Sequence, residues 1–195
     1  VKYSGPFGFI KPWTAVRDGE TYSQQFLTPS IIEGIEKKMF PEFLGKNEEG
    51  KLFFQGIQKI KRHKLTYEQL DLQQEQTRAK EFKKETSNDG IVKIKSNSII
   101  NRGIMINPIL QLAFNNYSDA ETAMEQHICL SRNEDILIPE EKIQEISVEK
   151  FDLLDGFELR FERNEKSFLV GYNRYDESKP MYGWLDVVGN PIRNS

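Results

Sequence analysis

The segment Thr28-Pro29-Ser30-Ile31-Ile32-Glu33-Gly34-Ile35-Glu36-Lys37-Lys38-Met39-Phe40-Pro41 is the most legible part of the chain. Thr28 suits an N-cap, and Pro29 suits the first helical position, where its missing N–H costs nothing. Ile31, Ile35 and Met39 recur at four-residue spacing with Ile32 alongside, which makes one apolar stripe. Lys37 and Lys38 fall off that stripe near the C-terminal end, where cations complement the helix dipole. Pro41 blocks further extension.

Working outward, the flanks read as strands. Upstream, residues 2–10 form a strand broken by Gly5-Pro6 and Gly8, with Tyr3, Phe7 and Phe9 at strand spacing and Phe7 and Phe9 expected inside. A loop follows from Pro12 to about Gln25. Downstream, residues 52–64 alternate and predict a strand. Residues 66–88 are dominated by Gln, Glu and Lys and predict a solvated helix or a mobile protrusion that adds little to a core. Residues 91–95 and 104–114 resume as strands, the latter interrupted at Asn107-Pro108, where a missing ladder donor marks an edge or bulge. Ser118-Asp119-Ala120-Glu121 is a capping box opening a short helix. Residues 136–138, 143–148, 157–161 and 168–172 predict short strands, the last two flanking a polar turn at 162–166. The order is that of an α+β chain. It predicts one domain over residues 1–195, a βαββαβ ferredoxin-like antiparallel sheet with a polar insertion at 65–90 and a short β-rich C-terminal part.

The 195 residues carry 27 Lys and Arg against 30 Asp and Glu, a net of −3, which excludes a blanket polybasic nucleic-acid binder. With 37% hydrophobic residues the chain can bury a core, and 11% aromatics argue against disorder. The charge is unevenly spread: residues 1–100 carry 17 Lys and Arg against 13 Asp and Glu, and residues 101–195 carry 10 against 17. The densest cationic run is Lys59-Ile60-Lys61-Arg62-His63-Lys64. A local basic face binds phosphate even on a near-neutral protein, because screening limits each charge to a reach of about 10 Å. Cys129 is the single cysteine, which leaves no intramolecular disulfide and no Cys-based metal site, and His63 and His127 are far apart. No metal or other cofactor is expected. No run of 18 apolar residues exists, so no membrane span is expected. Val1–Pro6 has the character of neither a signal nor a transit peptide, and the chain reads as cytoplasmic; beginning on Val, it is expected to lack an initiator Met.

The motifs of the phosphate loop, the GxSxG elbow and the HExxH helix are absent. Carboxylates are scattered and read mostly as solvated, Glu134 and Asp135 among them. His63 sits between cations that depress its pKa, a setting suited to acid–base chemistry at a phosphodiester; it also reads as a polar residue on an exposed strand face. His127 reads as a half-buried packing or capping residue. Phe7, Phe9, Lys11, Trp13, Arg17 and Tyr22 interleave aromatic faces with cations, the combination that holds single-stranded nucleic acid by stacking and phosphate pairing.

These motifs resemble a known family. Gly5-Pro6-Phe7-Gly8-Phe9-Ile10-Lys11-Pro12 resembles the G-x-(F/Y)-A-x-F-(R/K)-P opening of the CRISPR-associated Cas-five proteins, RAMP-superfamily subunits of type I Cascade complexes. Thr21-Tyr22-Ser23, Thr28-Pro29-Ser30 and Glu33-Gly34-Ile35-Glu36 are similar to that family's next segment, and residues 129–137 resemble a later strand. Residues 171–176 and 189–192 are similar to its C-terminal end, whereas residues 65–117 are covered poorly. The resemblance implies a ferredoxin-like fold with a protruding thumb, for which residues 66–88 are the candidate. It implies a subunit that caps the 5′ handle of CRISPR RNA and contacts the backbone RAMP subunit and the large subunit, meeting target DNA only indirectly. On this reading Lys11, Arg17, Lys37, Lys38, Lys59, Lys61, Arg62, His63, Lys64 and Arg132 are RNA-binding candidates, and Trp13 or Tyr22 stacks on a base. Some members are metal-independent endoribonucleases that process precursor RNA with a Tyr and a Lys-His pair. The Tyr position falls on Phe40, and the stretch between Asn107 and Ala123 holds neither Lys nor His, so binding without cleavage is expected, with cleavage by His63 as the alternative.

Overall fold

The computed structural model describes residues 1–12, 20–48, 50, 52, 54–86, 92–173 and 177–194, with the side chains of 77–98 outside that description. The chain opens with β1 (Lys2–Ser4), β2 (Phe7–Gly8) and β3 (Glu20–Tyr22), followed by α1 (Pro29–Met39) and a 3-10 turn at Pro41–Leu44. Next come β4 (Ile60–Thr66), β5 (Gln69–Thr86), β6 (Val92–Ile106), β7 (Ile109–Phe114) and α2 (Tyr117–Met124). β8 (Ile128–Cys129), β9 (Ile136–Pro139), α3 (Val148–Asp152), β10 (Gly156–Arg160), β11 (Phe168–Tyr172) and β12 (Pro180–Val188) complete it.

Eight strands form one sheet in the order β11-β12-β10-β4-β7-β1-β9-β8, every neighbouring pair antiparallel. At its centre β1, α1, β4, β7, α2 and β9 follow one another in the chain and lie in the strand order β4-β7-β1-β9. Both helices cover the face that carries Tyr3, whose hydroxyl lies 2.5 Å from the Ala123 carbonyl oxygen, to which it donates, and 3.3 Å from Met39 Sδ. Tyr3, Leu65, Leu110 and Leu112 from the strands meet Ile32, Ile35 and Met39 of α1 in the main core. Each such side chain removed from water contributes roughly 1.5–3 kcal/mol. The buried stripe of α1 also contains Glu36.

A second sheet is built on β6. Its residues 105–106 pair with β2 and 101–103 pair in parallel with β3, while β5 runs antiparallel along the other edge from Gln69↔Ile106 to Thr86↔Val92. Of residues 66–88, expected as a solvated helix or a protrusion, 69–86 form strand β5 rather than a helix. β5 spans 18 residues, against the usual 3–10, and from Val92 to Ile100 β6 pairs, among the described residues, with β5 alone. Asn107, with φ 47°, and Pro108 end the ladder as expected, and β7 then enters the other sheet.

Other boundaries shift for identifiable reasons. The strand predicted from residue 52 begins only at Ile60, because 56–60 give backbone donors to Glu33 and Glu36 of α1. The N-cap of α2 is Asn116, whose side chain accepts from Asp119 N at 2.8 Å, two residues before the predicted capping box. Thr28 caps α1 by backbone conformation alone, its hydroxyl 3.1 Å from Ser30 Oγ. Residues 143–147 form no strand and lead into α3. His127 is exposed rather than half-buried.

Two glycines show how closely these layers approach. A Cβ at Gly5 would clash with the Ile136 carbonyl oxygen and lie 2.7 Å from Leu137 Cδ2, whereas one at Gly34 would meet nothing within 4 Å. Gly5→Ala is expected to lower the unfolding free energy by about 1–3 kcal/mol. Gly34→Ala, in an open helical position, is expected to raise it by about 0.5–1 kcal/mol. Urea denaturation midpoints measure both, and a destabilised Gly34→Ala or a neutral Gly5→Ala would contradict this packing.

Candidate nucleic-acid interface

The cationic run 59–64 does not form a basic face. Lys59 Nζ lies 3.0 Å from Glu42 Oε1, 3.0 Å from Asp119 Oδ1 and 3.8 Å from the centre of the Phe40 ring. Arg62 donates to Glu158 Oε1 at 2.6 Å and Oε2 at 2.7 Å, and to Asp152 at 2.7 Å; the Glu158 carboxylate chiefly holds its pKa above the ordinary arginine value. Lys64 is fully buried, with Nζ 3.9 Å from Glu158 and 3.8 Å from Asp186 and no hydrogen-bond partner. Arg160 adds a third cation, 3.8 Å from Glu158 and 3.5 Å from Asp152. Arg160 pairs more closely with Glu162, at 2.8 Å, so three cations meet four carboxylates where β4, β10, β12 and α3 come together. Lys61 alone in the run is exposed, and it donates to the Gln58 carbonyl at 2.6 Å.

His63 belongs to the interior. It is 2% exposed, stacks with Phe161 at 6.1 Å, and its Nε2 accepts from the Leu159 N–H at 3.4 Å. Burial, reinforced by Arg62, Lys64 and Arg160, pushes its pKa down to about 3. The exposed-strand reading fails on this burial, and a ring only 2% exposed with so low a pKa is poorly suited to the acid–base role. Phe40, at the position of the processing family's Tyr, is 1% exposed and packs against Phe43 and Phe114.

Other predicted residues gather beside the 129–135 loop. The Ile10 N–H donates to Ser23 Oγ at 2.9 Å and the Gln24 N–H to the Ile10 carbonyl at 2.8 Å, so Lys11 and Tyr22 flank one backbone junction. The Lys11 N–H donates to Ser131 Oγ at 3.3 Å, and Lys38 Nζ lies 3.8 Å from Cys129 Sγ. Lys11 and Lys38 therefore border the same loop, 129–135; both are exposed and neither forms an ion pair among the described residues. Lys37, by contrast, pairs with Glu33 at 2.5 Å. Tyr22 is 50% exposed, its ring packed over Gly103, where a Cβ would collide with it; Glu20 beside it raises its pKa. Phe9 is buried as expected, and Phe7 is half-buried. Trp13 and Arg17 lie outside the described residues.

Arg132 organises this corner. It grips the fully buried Asp135, which accepts from its backbone N–H at 3.0 Å and its guanidinium at 2.9 and 2.6 Å. It also donates to Gln73 at 2.9 Å and Glu75 at 3.0 Å on β5. Glu75 accepts from Arg102 at 3.1 Å, and both guanidinium groups lie against the Phe9 ring, at 5.3 and 5.4 Å. Arg132 is thus a fastener between loop and hairpin, its charge matched by Asp135, Glu75 and Glu134. Asp135, expected in solvent, was legible only through its three-residue spacing from Arg132. Glu75 and Arg102 meet only through the pairing of β5 with β6.

No protein-family model matches the sequence, and no curated protein matches it. Among solved structures, a chain of a CRISPR RNA-guided surveillance complex matches with a TM-score of 0.53, covering 96% of this chain and 88% of that chain at 8% identity. The likeness is one of fold, over nearly the full length of both. Among the described residues no group of three or more His, Cys, Asp or Glu is arranged to hold a metal ion, and no helix is long and apolar enough to cross a membrane.

The buried imidazole makes a pH prediction. Its pKa is about 3 in the fold and 6.5 at its ordinary value, so the unfolded chain takes up the proton first as pH falls. The stability it confers is full above about pH 6.5 and is lost between there and pH 3, by about 1.4 kcal/mol per pH unit. Between pH 7 and pH 5 the unfolding free energy is expected to drop by about 2 kcal/mol on this account. His63→Gln, which cannot titrate, is expected to flatten that drop in urea titrations at the two pH values; an unchanged slope would mean that the ring is not buried neutral.

Proposed function

We propose that this chain is a CRISPR RNA-binding subunit of a type I Cascade complex, one that caps the 5′ handle and joins the backbone RAMP subunit and the large subunit for RNA-guided DNA targeting. The observation that carries this reading is the fold correspondence, over 96% of the chain, with a chain of a CRISPR RNA-guided surveillance complex. The ordered motifs of the N-terminal third support it, because Gly5–Pro12 and residues 21–36 supply the junction that brings Lys11 and Tyr22 together. The strand order β4-β7-β1-β9 with two helices on one face supports a ferredoxin-like, RAMP-type unit. The β5–β6 arm is the natural thumb. Residues 77–98 of that arm contain six Lys and Arg against three Asp and Glu, a cationic bias suited to RNA.

The phosphate-binding set in this reading is Lys11 and Lys38 beside the 129–135 loop, with Arg17 and the arm, and Tyr22 or Trp13 supplies a stacking face. Lys59, Arg62, His63 and Lys64 leave the set, because their charges are paired or buried. The function is binding without cleavage, and the ribonuclease alternative loses the group it relied on once His63 is interior.

Fluorescence titration of the purified chain with a single-stranded repeat-derived RNA over a range of salt tests this. Each lost phosphate contact lowers the slope of log K against log salt by about 0.7. Lys11→Ala with Lys38→Ala is therefore expected to flatten the slope by about 1.4, while Lys61→Ala leaves it unchanged. An effect of Lys61→Ala alone would move the interface to the far side of the sheet. A discrete cut in the RNA without metal would overturn the binding-only reading.

A further inference from the structure

Residues 140–155 run beside β1 and β4 of the main sheet, where Glu140 pairs with Lys2 and Asp152 with Arg62. The segment is tied at two points: the Glu140 N–H donates to the Lys2 carbonyl at 2.8 Å, and Asp152 pairs with Arg62 at 2.7 Å, while Ser147 Oγ accepts from Lys150 N at 3.3 Å to cap α3. Between these anchors, residues 141–146 belong to no ladder and make no backbone–backbone hydrogen bond among the described residues. Yet Ile143, Ile146 and Val148 give this stretch the composition of a strand. Ile146 is 40% exposed, Val148 66% and Leu153 77%. Ile146 and Val148 line a pocket of about 340 Å³ together with Gln111, Phe114, Ile143 and Phe151.

Charge identifies what this surface accepts. Residues 140–155 carry six acidic side chains against Lys142 and Lys150. Glu140 is paired with Lys2 and Asp152 with Arg62, which leaves Glu141, Glu145, Glu149 and Asp155 exposed and in no ion pair among the described residues. Four exposed carboxylates without an ion pair repel a phosphate backbone and favour a cationic protein surface. Unpaired backbone donors and acceptors beside exposed β-branched side chains are what an added strand uses: main-chain hydrogen bonds give affinity and alternate side chains give specificity.

We propose that residues 141–148, with the ledge formed by Val148 and Leu153, dock a protein partner through a strand edge that alternates apolar and Lys or Arg side chains. The apolar side chains of that edge settle on Ile146, Val148 and Leu153, and its cations meet Glu141, Glu145 and Glu149. The surface is separate from the Lys11–Lys38 corner, so it stands or falls independently of RNA binding.

The probe is a short synthetic peptide alternating Lys or Arg with Val or Ile, added to the full chain. Its counterpart with Glu at the basic positions and a single-stranded RNA are tested in parallel. Amide hydrogen exchange at 141–148 is expected to be fast in the free chain and slowed by the basic peptide alone. Glu141→Lys with Glu145→Lys is expected to weaken peptide binding roughly tenfold. Val148→Ser with Leu153→Ser is expected to weaken it as well, and all four positions are exposed enough to change without unfolding the chain. Unaltered exchange at 141–148, or affinity indifferent to charge reversal, would overturn the proposal. Protection of 141–148 by the RNA would reassign the surface to nucleic acid.

Discussion

The carboxylate of Glu36 ties α1 to the start of β4. It stands within the apolar stripe of α1, fully buried, and accepts the backbone N–H groups of Gln58, Lys59 and Ile60 at 2.7, 2.5 and 2.7 Å. A lone buried carboxylate costs several kcal/mol, and three charge-assisted hydrogen bonds offset that cost. Those three donors belong to the stretch that becomes β4. Glu36 therefore decides where β4 begins, and with it which side chains of residues 59–64 point inward. Glu33, one turn earlier, adds a contact to the Gly56 N–H at 3.3 Å.

Once β4 is placed, its charges are committed to the protein itself. Arg62 and Lys64 enter the network around Glu158, which is only 1% exposed and also accepts the His63 N–H at 3.2 Å. This network fastens the C-terminal strands β10 to β12 onto the central strands. It also explains why the densest basic run in the chain lacks a basic surface. Buried ion pairs are poor sources of net stability but enforce a unique arrangement when every carboxylate is matched. The orphaned Lys64 ammonium is the exception within it, held by charge at 3.8–3.9 Å rather than by a hydrogen bond.

The elements that follow from local chemistry were legible in the sequence. α1 runs from Pro29 to Met39 because proline, isoleucine spacing and Pro41 each mark it locally, and the break at Asn107-Pro108 separates β6 from β7. The strands at 157–160 and 168–172 were visible in the same way. What depends on distant partners was hidden. β5 reads as a polar helix until β6 satisfies its ladder, and β12 stood out by no local signal. The site divides along the same line. Lys11, Lys38 and Tyr22 keep their expected exposure, because nothing across the fold competes for them. Arg132, Arg62 and Lys64 lose theirs to Asp135, Glu158 and Asp186, carboxylates 3, 96 and 122 residues along the chain. A count of cations along a sequence measures surface potential only after such pairings have been subtracted.

Subtracting them recasts the net charge of −3. Paired cations and carboxylates in the interior contribute nothing at a distance, so the outward field is set by what remains exposed. In sequence, residues 77–98 are rich in Lys and Arg, and among the described residues Glu141, Glu145, Glu149 and Asp155 are exposed carboxylates in no ion pair. With screening confining each to a reach of about 10 Å, the two regions act on whatever lies next to them rather than cancelling. A small, nearly neutral chain can in this way keep charges of opposite sign in separate regions without their cancelling. The division is enforced by the fold, because Glu36 and Glu158 draw into the interior the charges that would otherwise blur it.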